Sequence, residues 1–258
     1  MAQHQAVAPP HRLGFAATLR RDAWWLEPAL VLAALALFFG YLTVSAFLDE
    51  WAFEIGPYLS PVFEPKLHGH YPQWWFSPAL LILWGPAGFR LTCYYYRLAY
   101  GRSLFMSPPA CAVGDLPPRY YGEARFPFIL QNVHRYFLYV ALVFIPLLWI
   151  GAGRGFHHPQ EGWGVGLGSF MLVVNAALLS LYTFSCHSLR HLVGGGLDCF
   201  SCSRYNRVRH RLWTWVSRLN ADHRLWAWAS LVFIVATDVY IRLVANGHLS
   251  DPNTWKSF

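Results

Sequence analysis

The sequence predicts an all-α integral membrane protein: a five-helix transmembrane bundle with its N-terminus in the cytoplasm and its C-terminus outside. Three observations predict it. The 258 residues are 55% hydrophobic and only 13% charged, against about 25% charged in a soluble domain. The apolar residues gather in runs long enough to cross a hydrocarbon core of about 30 Å at about 1.5 Å per residue. The basic residues collect in alternate connections between those runs, the asymmetry that orients membrane proteins. The net charge of +7 therefore reads as topology, with no nucleic-acid partner. Thirteen Trp and fourteen Tyr suit belts at two membrane interfaces.

Residues 1–26 read as a cytoplasmic basic arm, with Arg12, Arg20 and Arg21 ahead of Trp24 and Trp25. The first apolar run is too long for the core of a cleavable signal peptide. The transmembrane domain is expected over 27–248 and a short tail over 249–258. Span one, 27–48, is rich in Leu and Ala. The loop 49–75 carries Asp49, Glu50, Glu54 and Glu64 against Lys66, and its prolines and aromatics suggest an ordered cap.

Span two, 76–100, contains Pro78, Pro86 and Arg90; Pro86 is expected to kink it. The loop 101–126 includes SPPAC, ending at Cys111. Span three, 127–150, opens with Gln131, Asn132, His134 and Arg135 and then turns wholly apolar. Span four, 165–192, closes with TFSCHSLRHL, which holds Cys186, His187, Arg190 and His191. The stretch 193–222 reads as a basic loop with CFSC at 199–202. Span five, 223–244, opens with His223 and contains Asp238 and Tyr240. Only Lys66, Arg154, Arg242 and Lys256 lie on the side opposite the basic loops, so the positive-inside rule sets the orientation. No internal repeat is apparent.

On this topology Cys93, Cys111, His134, Cys186, His187, His191 and His223 all return to the inner face. Any one of them alone is most simply a small buried residue or an interfacial hydrogen bonder. An ionisable group inside an apolar span, such as His134, needs a partner there. Five cysteines, an odd number, make no secreted disulfide framework.

Three cofactor readings follow. A b-type haem takes two axial His, drawn from His134, His187, His191 and His223. A Rieske-type 2Fe–2S cluster takes two Cys and two His, a set that Cys93, Cys111, His134 and His187 supply across helices. A zinc site takes His187, His191, Cys199 and Cys202 by residue type. For quinone, Tyr94, Tyr95, Tyr96, Arg97, Ser188, Arg190 and Trp228 stand at suitable depth to hydrogen-bond the carbonyl oxygens. Asp238 and Tyr240 lie in the outer half of span five, where an intramembrane Asp suggests a proton path or a buried pair.

The motifs FRLTCYYYR, SPPACAV, RFPFILQNVHRYF, TFSCHSLRHLVGG and LNADH occur in order over residues 76–245. In them the chain resembles the single-chain membrane anchor of succinate dehydrogenases and fumarate reductases, in its actinobacterial form. The resemblance implies a bacterial inner-membrane location and a place in the respiratory chain and tricarboxylic acid cycle. It implies two partners on the basic face: a flavoprotein with FAD and an iron–sulfur protein with three clusters. Electrons would reach quinone near spans two to five, and the complex could form a higher oligomer. Carried over residue by residue, the expected cluster ligands are Cys93, Cys111, His134 and His187, with Cys186 and His191 as substitutes. The two-haem relatives need axial His in span one, where this chain has none. The rival readings are a b-haem subunit of another quinone-linked oxidoreductase and a redox-inactive scaffold with a zinc-bound or empty Cys/His site.

Overall fold

The computed structural model describes residues 14–47, 53–66, 77–116, 122–126 and 128–255. Arg12, Asp49, Glu50, Arg119 and Lys256, and the expected span ends at 48, 76 and 127, lie outside them. Eight α-helices form among the described residues. Four are long and apolar enough to cross a membrane: Leu26–Phe47, Phe128–Arg154 (with its leading 3-10 turn), Leu167–Phe184 and His223–Ala245. A shorter apolar helix covers Ala79–Leu91. The fold is a helical membrane bundle.

Helix α1 (Leu26–Phe47) buries only Pro28, Leu35, Ser45 and Ala46, the pattern of a helix that turns most of its apolar surface to lipid. Helix α2 (Pro78–Leu91) starts at Ser77, whose Oγ accepts the Ala79 N–H at 3.2 Å, a standard N-cap. Pro86 sits inside α2 without ending it. The interruption expected there falls instead at Thr92 and Cys93. Cys93 is extended (φ −66°, ψ 133°) and opens α3 (Tyr94–Ser103). There the Gly88 carbonyl accepts both the Thr92 N–H at 3.0 Å and the Thr92 hydroxyl at 2.7 Å.

A 3-10 segment, Phe128–Val133, leads into α4 (His134–Arg154). Helix α5 (Leu167–Phe184) also ends sooner than expected. It stops before Ser185 and Cys186, and α6 (His187–Gly194) begins anew. The expected loop 193–222 is largely a helix, α7 (Arg204–Ala221), capped by Ser203 Oγ accepting the Asn206 N–H at 3.0 Å. Its Arg204, Arg207, Arg211 and Arg218 give a polar and strongly amphipathic helix. Helix α8 (His223–Ala245) follows directly.

Three apolar clusters pack the bundle: a small one of Ala46, Val62, Phe63 and Ala79 and two larger ones. One joins Leu35, Phe89, Cys93, Tyr96, Leu138, Tyr182, Cys186, Ala227 and Leu231. The other joins Tyr58, Ala152, Leu172, Ala176, Ile241 and Trp255 under an ordered cap, as the loop composition suggested. The cap holds two small hairpins, β1 (Glu54–Ile55) with β2 (Tyr58–Leu59) and β3 (His157–His158) with β4 (Gly162–Trp163). The C-terminal tail seals it. Asp251 accepts hydrogen bonds from Tyr58 at 2.9 Å, from the Gly168 amide at 3.0 Å and from Tyr240. Gly168 is required here, because a Cβ would meet the Tyr58 ring at 2.5 Å. Burial pushes the Tyr58 hydroxyl pKa above its ordinary value.

Candidate metal centre

The breaks after α2 and α5 are built alike. Phe89-x-x-Thr92-Cys93-x-x-x-Arg97 matches Tyr182-x-x-Ser185-Cys186-x-x-x-Arg190 position for position. In each, an aromatic residue precedes a hydroxyl residue by one turn, and a Cys opens the next helix. This internal repeat corrects the sequence reading, which saw none. The two breaks meet around two histidines that begin the helices α4 and α8.

The pairing is crossed. His134 has its Nδ1 3.0 Å from Thr92 Oγ1 of the first break and its Nε2 3.1 Å from Cys186 Sγ of the second. His223 has its Nδ1 2.6 Å from Ser185 Oγ of the second break and its Nε2 3.5 Å from Cys93 Sγ of the first. All four groups are buried.

The Thr92 hydroxyl also reaches the Gly88 carbonyl at 2.7 Å, and that of Ser185 the Tyr182 carbonyl at 3.0 Å. With the O–H directed there, each oxygen accepts an Nδ1–H, the tautomer that leaves a lone pair on Nε2. Each Nε2 faces a thiol. The rings are clamped as well: Phe89 stacks on His134 at 4.7 Å and 9°, and Tyr182 on His223 at 5.2 Å and 20°.

An Nδ1–H held by a hydroxyl, with Nε2 presented inward, is the outer-shell arrangement of a metal-ligating histidine. A cavity of about 530 Å³ opens on Cys93, His134, Cys186 and His223. Among the described residues no group of three or more His, Cys, Asp or Glu converges on a single ion. The four donors line one cavity as two Cys–His contacts; a Rieske-type cluster takes two Cys on one iron and two His on the other, so both contacts would open to admit it.

The expected ligands separate on this geometry. Cys93 and His134 belong to the set, and the substitute Cys186 joins them. Cys111 does not. It is exposed in the loop, where its carbonyl accepts from Arg20 Nη1 at 2.8 Å. His187 stands at the cavity mouth, exposed, with its Nε2 3.0 Å from that of His191. Burial of its ring, then the nearby His191 and Arg190, lowers the His187 pKa. His191 does not line the cavity. Of the zinc set, Cys199 and Cys202 face each other and His187 faces His191. The residue that the ligand expectation passed over is His223. Its signal was the repeat, since each break needs its own helix-opening His.

The family of actinobacterial succinate dehydrogenase subunit SdhC matches residues 26–247. The chain belongs to that family. It is also similar to a chain of the Mycobacterium smegmatis Sdh1 complex in the apo form, at 40% identity and a TM-score of 0.84, covering 99% of this chain and 98% of that one. No curated protein matches. As an SdhC-family chain with several apolar helices, the protein is a multi-pass protein of the bacterial inner membrane.

The remaining expected site residues of this SdhC-family chain fall into three places. Tyr94, Tyr95 and Ser188 line the cavity of the Cys/His set. Tyr95 also walls a second cavity, of about 210 Å³, with Tyr96, Trp228, Glu27, Arg102 and Arg224 between α1, α3 and α8. Its ring lies 5.0 Å from that of His223. Arg97 is buried and pairs with Glu123 at 3.2 Å. Arg190 is tied to α7 by Ser217 Oγ at 3.0 Å and by the Trp213 ring at 4.9 Å, away from either cavity.

Asp238 and Tyr240 lie toward the capped end. Wholly buried, Asp238 accepts from Tyr41 at 2.7 Å, Ser45 at 2.7 Å, Arg242 at 3.0 Å and Ser60. That saturation makes it a knot between α1, the cap and α8. Glu64, also near the cap, lies 4.0 Å from Arg154, its one ion-pair partner among the described residues. Burial raises the Glu64 pKa, and Arg154 partly opposes the shift.

Proposed function

We propose that this chain is the membrane anchor and electron-transfer subunit of a succinate:quinone oxidoreductase. A Rieske-type 2Fe–2S cluster held by this chain would supply the one-electron relay between an iron–sulfur subunit and membrane quinone. The observation that carries the reading is the convergence of the buried Cys93, Cys186, His134 and His223 on one cavity. These four residues would hold the cluster, replacing the first-expected Cys111 and His187. When bound, such a cluster supplies a one-electron relay at a potential raised by its His ligands. The b-haem alternative uses the two histidines but leaves both buried thiols without a role.

The five-span topology follows from the same parts. The α2–α3 pair is the span beside the four longer ones, with the N-terminus and α7 in the cytoplasm and the Asp251 cap outside. The flavoprotein, with FAD, and the iron–sulfur protein, with further clusters, dock on the basic cytoplasmic face. Quinone occupies the cavity of about 210 Å³, where Tyr95 and Trp228 meet its head group. Tyr95 is the shared wall between that cavity and the His223 side of the cluster site.

The test is purification of the complex through a tag on this chain. Flavin, iron and sulfide are expected to co-purify with succinate-dependent quinone reduction. Cys93→Ser and Cys186→Ser are each expected to lower iron and sulfide and abolish quinone reduction while the complex stays assembled. Undiminished iron and turnover in both variants would contradict the assignment.

A further inference from the structure

Arg90 lies in α2 directly after Phe89, the residue stacked on His134. It is buried at 6% exposure. Its Nη1 donates to Tyr96 Oη at 2.5 Å and to the Ala227 carbonyl at 3.1 Å, and its Nη2 donates to Ser230 Oγ at 2.9 Å. The guanidinium carbon lies 4.7 Å from the centroid of the Tyr182 ring. Every partner is neutral. Among the described residues no carboxylate pairs with it.

A buried charge is ordinarily paired, because desolvation without a counter-charge is costly. What lies on the far side of Tyr182 is the Cys/His set, since that ring stacks on His223 at 5.2 Å. The two spacings put the guanidinium at most about 10 Å from the His223 ring.

We infer that Arg90 is the fixed countercharge of the reduced cluster and holds its midpoint potential high. The inference rests on the cluster reading above. A 2Fe–2S core with two thiolate and two neutral imidazole ligands is formally neutral when oxidised. It gains one negative charge when one electron arrives from the iron–sulfur partner, and loses it when that electron leaves to quinone. A cation present in both states favours the reduced one. At about 10 Å and an effective dielectric of about 20, a unit charge shifts a one-electron equilibrium on the order of tenfold, which is about 59 mV. Arg90 acts across the Tyr182 ring and touches neither ligand nor substrate, so it is a positioning residue for charge.

The test is a redox titration of the cluster's EPR signal in the intact complex. Arg90→Met removes the charge. Ser230→Asp keeps the arginine and neutralises it with a carboxylate where the hydroxyl now accepts. Ser230→Asn is the uncharged control. The first two are expected to lower the midpoint potential by about 59 mV each, and the control to leave it near wild type. If Arg90→Met fails to assemble, Ser230→Asp decides the question alone. A wild-type potential in an assembled Arg90→Met or Ser230→Asp complex, or an equal fall with Ser230→Asn, would overturn the inference. A wild-type complex without the cluster signal would instead overturn the cofactor reading beneath it.

Discussion

Two thiols and two imidazoles do nothing chemically distinctive until their lone pairs are aimed, and here the aiming is done by two hydroxyls. Thr92 and Ser185 each reach a backbone carbonyl and a histidine Nδ1, an arrangement that suits donation from Nδ1 and an inward Nε2 lone pair on His134 and His223. At this scale the account separates the cysteines. Cys93→Ser or Cys186→Ser is expected to remove the cluster signal, whereas Cys111→Ser, at an exposed loop position, leaves it at full intensity; EPR spin counts on the three variants check this. Thr92→Val is expected to retain the fold and reduce cofactor occupancy roughly tenfold or more, the usual cost of a lost outer-shell partner, read as iron per complex. For the quinone cavity, Tyr95→Phe and Trp228→Leu are expected to raise the quinone KM several-fold with succinate oxidation by an artificial acceptor unchanged. Equal losses in both assays would point to assembly rather than quinone binding.

At the scale of elements, the site exists because two apolar helices stop one residue short of a cysteine. The stops were hard to read from sequence. Pro86 suggests a kink in span two; α2 contains it and ends further on, ahead of the extended Cys93. Span four looked continuous to residue 192 because nothing in the Ser185-Cys186 pair marks an end by propensity alone. The legible signal was the repeat of aromatic, hydroxyl, Cys and Arg at the same spacing in both breaks, which also would have called for His223. Helix α7 reads as loop from its many arginines, although its apolar positions keep a helical period. The capping Ser203 was the visible clue. Packing between the elements is as specific as the breaks. A Cβ on Gly88 would clash with the Phe137 ring of α4, so Gly88→Ala is expected to destabilise the purified complex by about 1–3 kcal/mol, seen as a lower Tm in detergent. No change would mean that α2 and α4 pack less closely than described.

Across the whole molecule, hydropathy made the class legible: the long apolar runs read from sequence are apolar helices in the structure. What sequence could not show is that the two ends are specialised separately. The Cys/His set and both inner cavities lie at one end. The other end is closed by Asp251 on Tyr58, Tyr240 and Gly168 and by Asp238 across α1 and α8. Asp251→Ala leaves buried donors without partners, a loss of about 1–3 kcal/mol. It is expected to lower Tm while the cluster's EPR signal and potential stay as in wild type. A lost signal would show that the ends are coupled.

The central claim is that this chain itself holds a two-iron cluster on Cys93, His134, Cys186 and His223. Low-temperature EPR with an optical spectrum on the purified, dithionite-reduced complex tests it most directly. The account predicts a Rieske-type signal beyond those of the iron–sulfur partner, with no haem α-band. A haem α-band and no additional cluster signal would contradict it and reassign His134 and His223 as axial ligands.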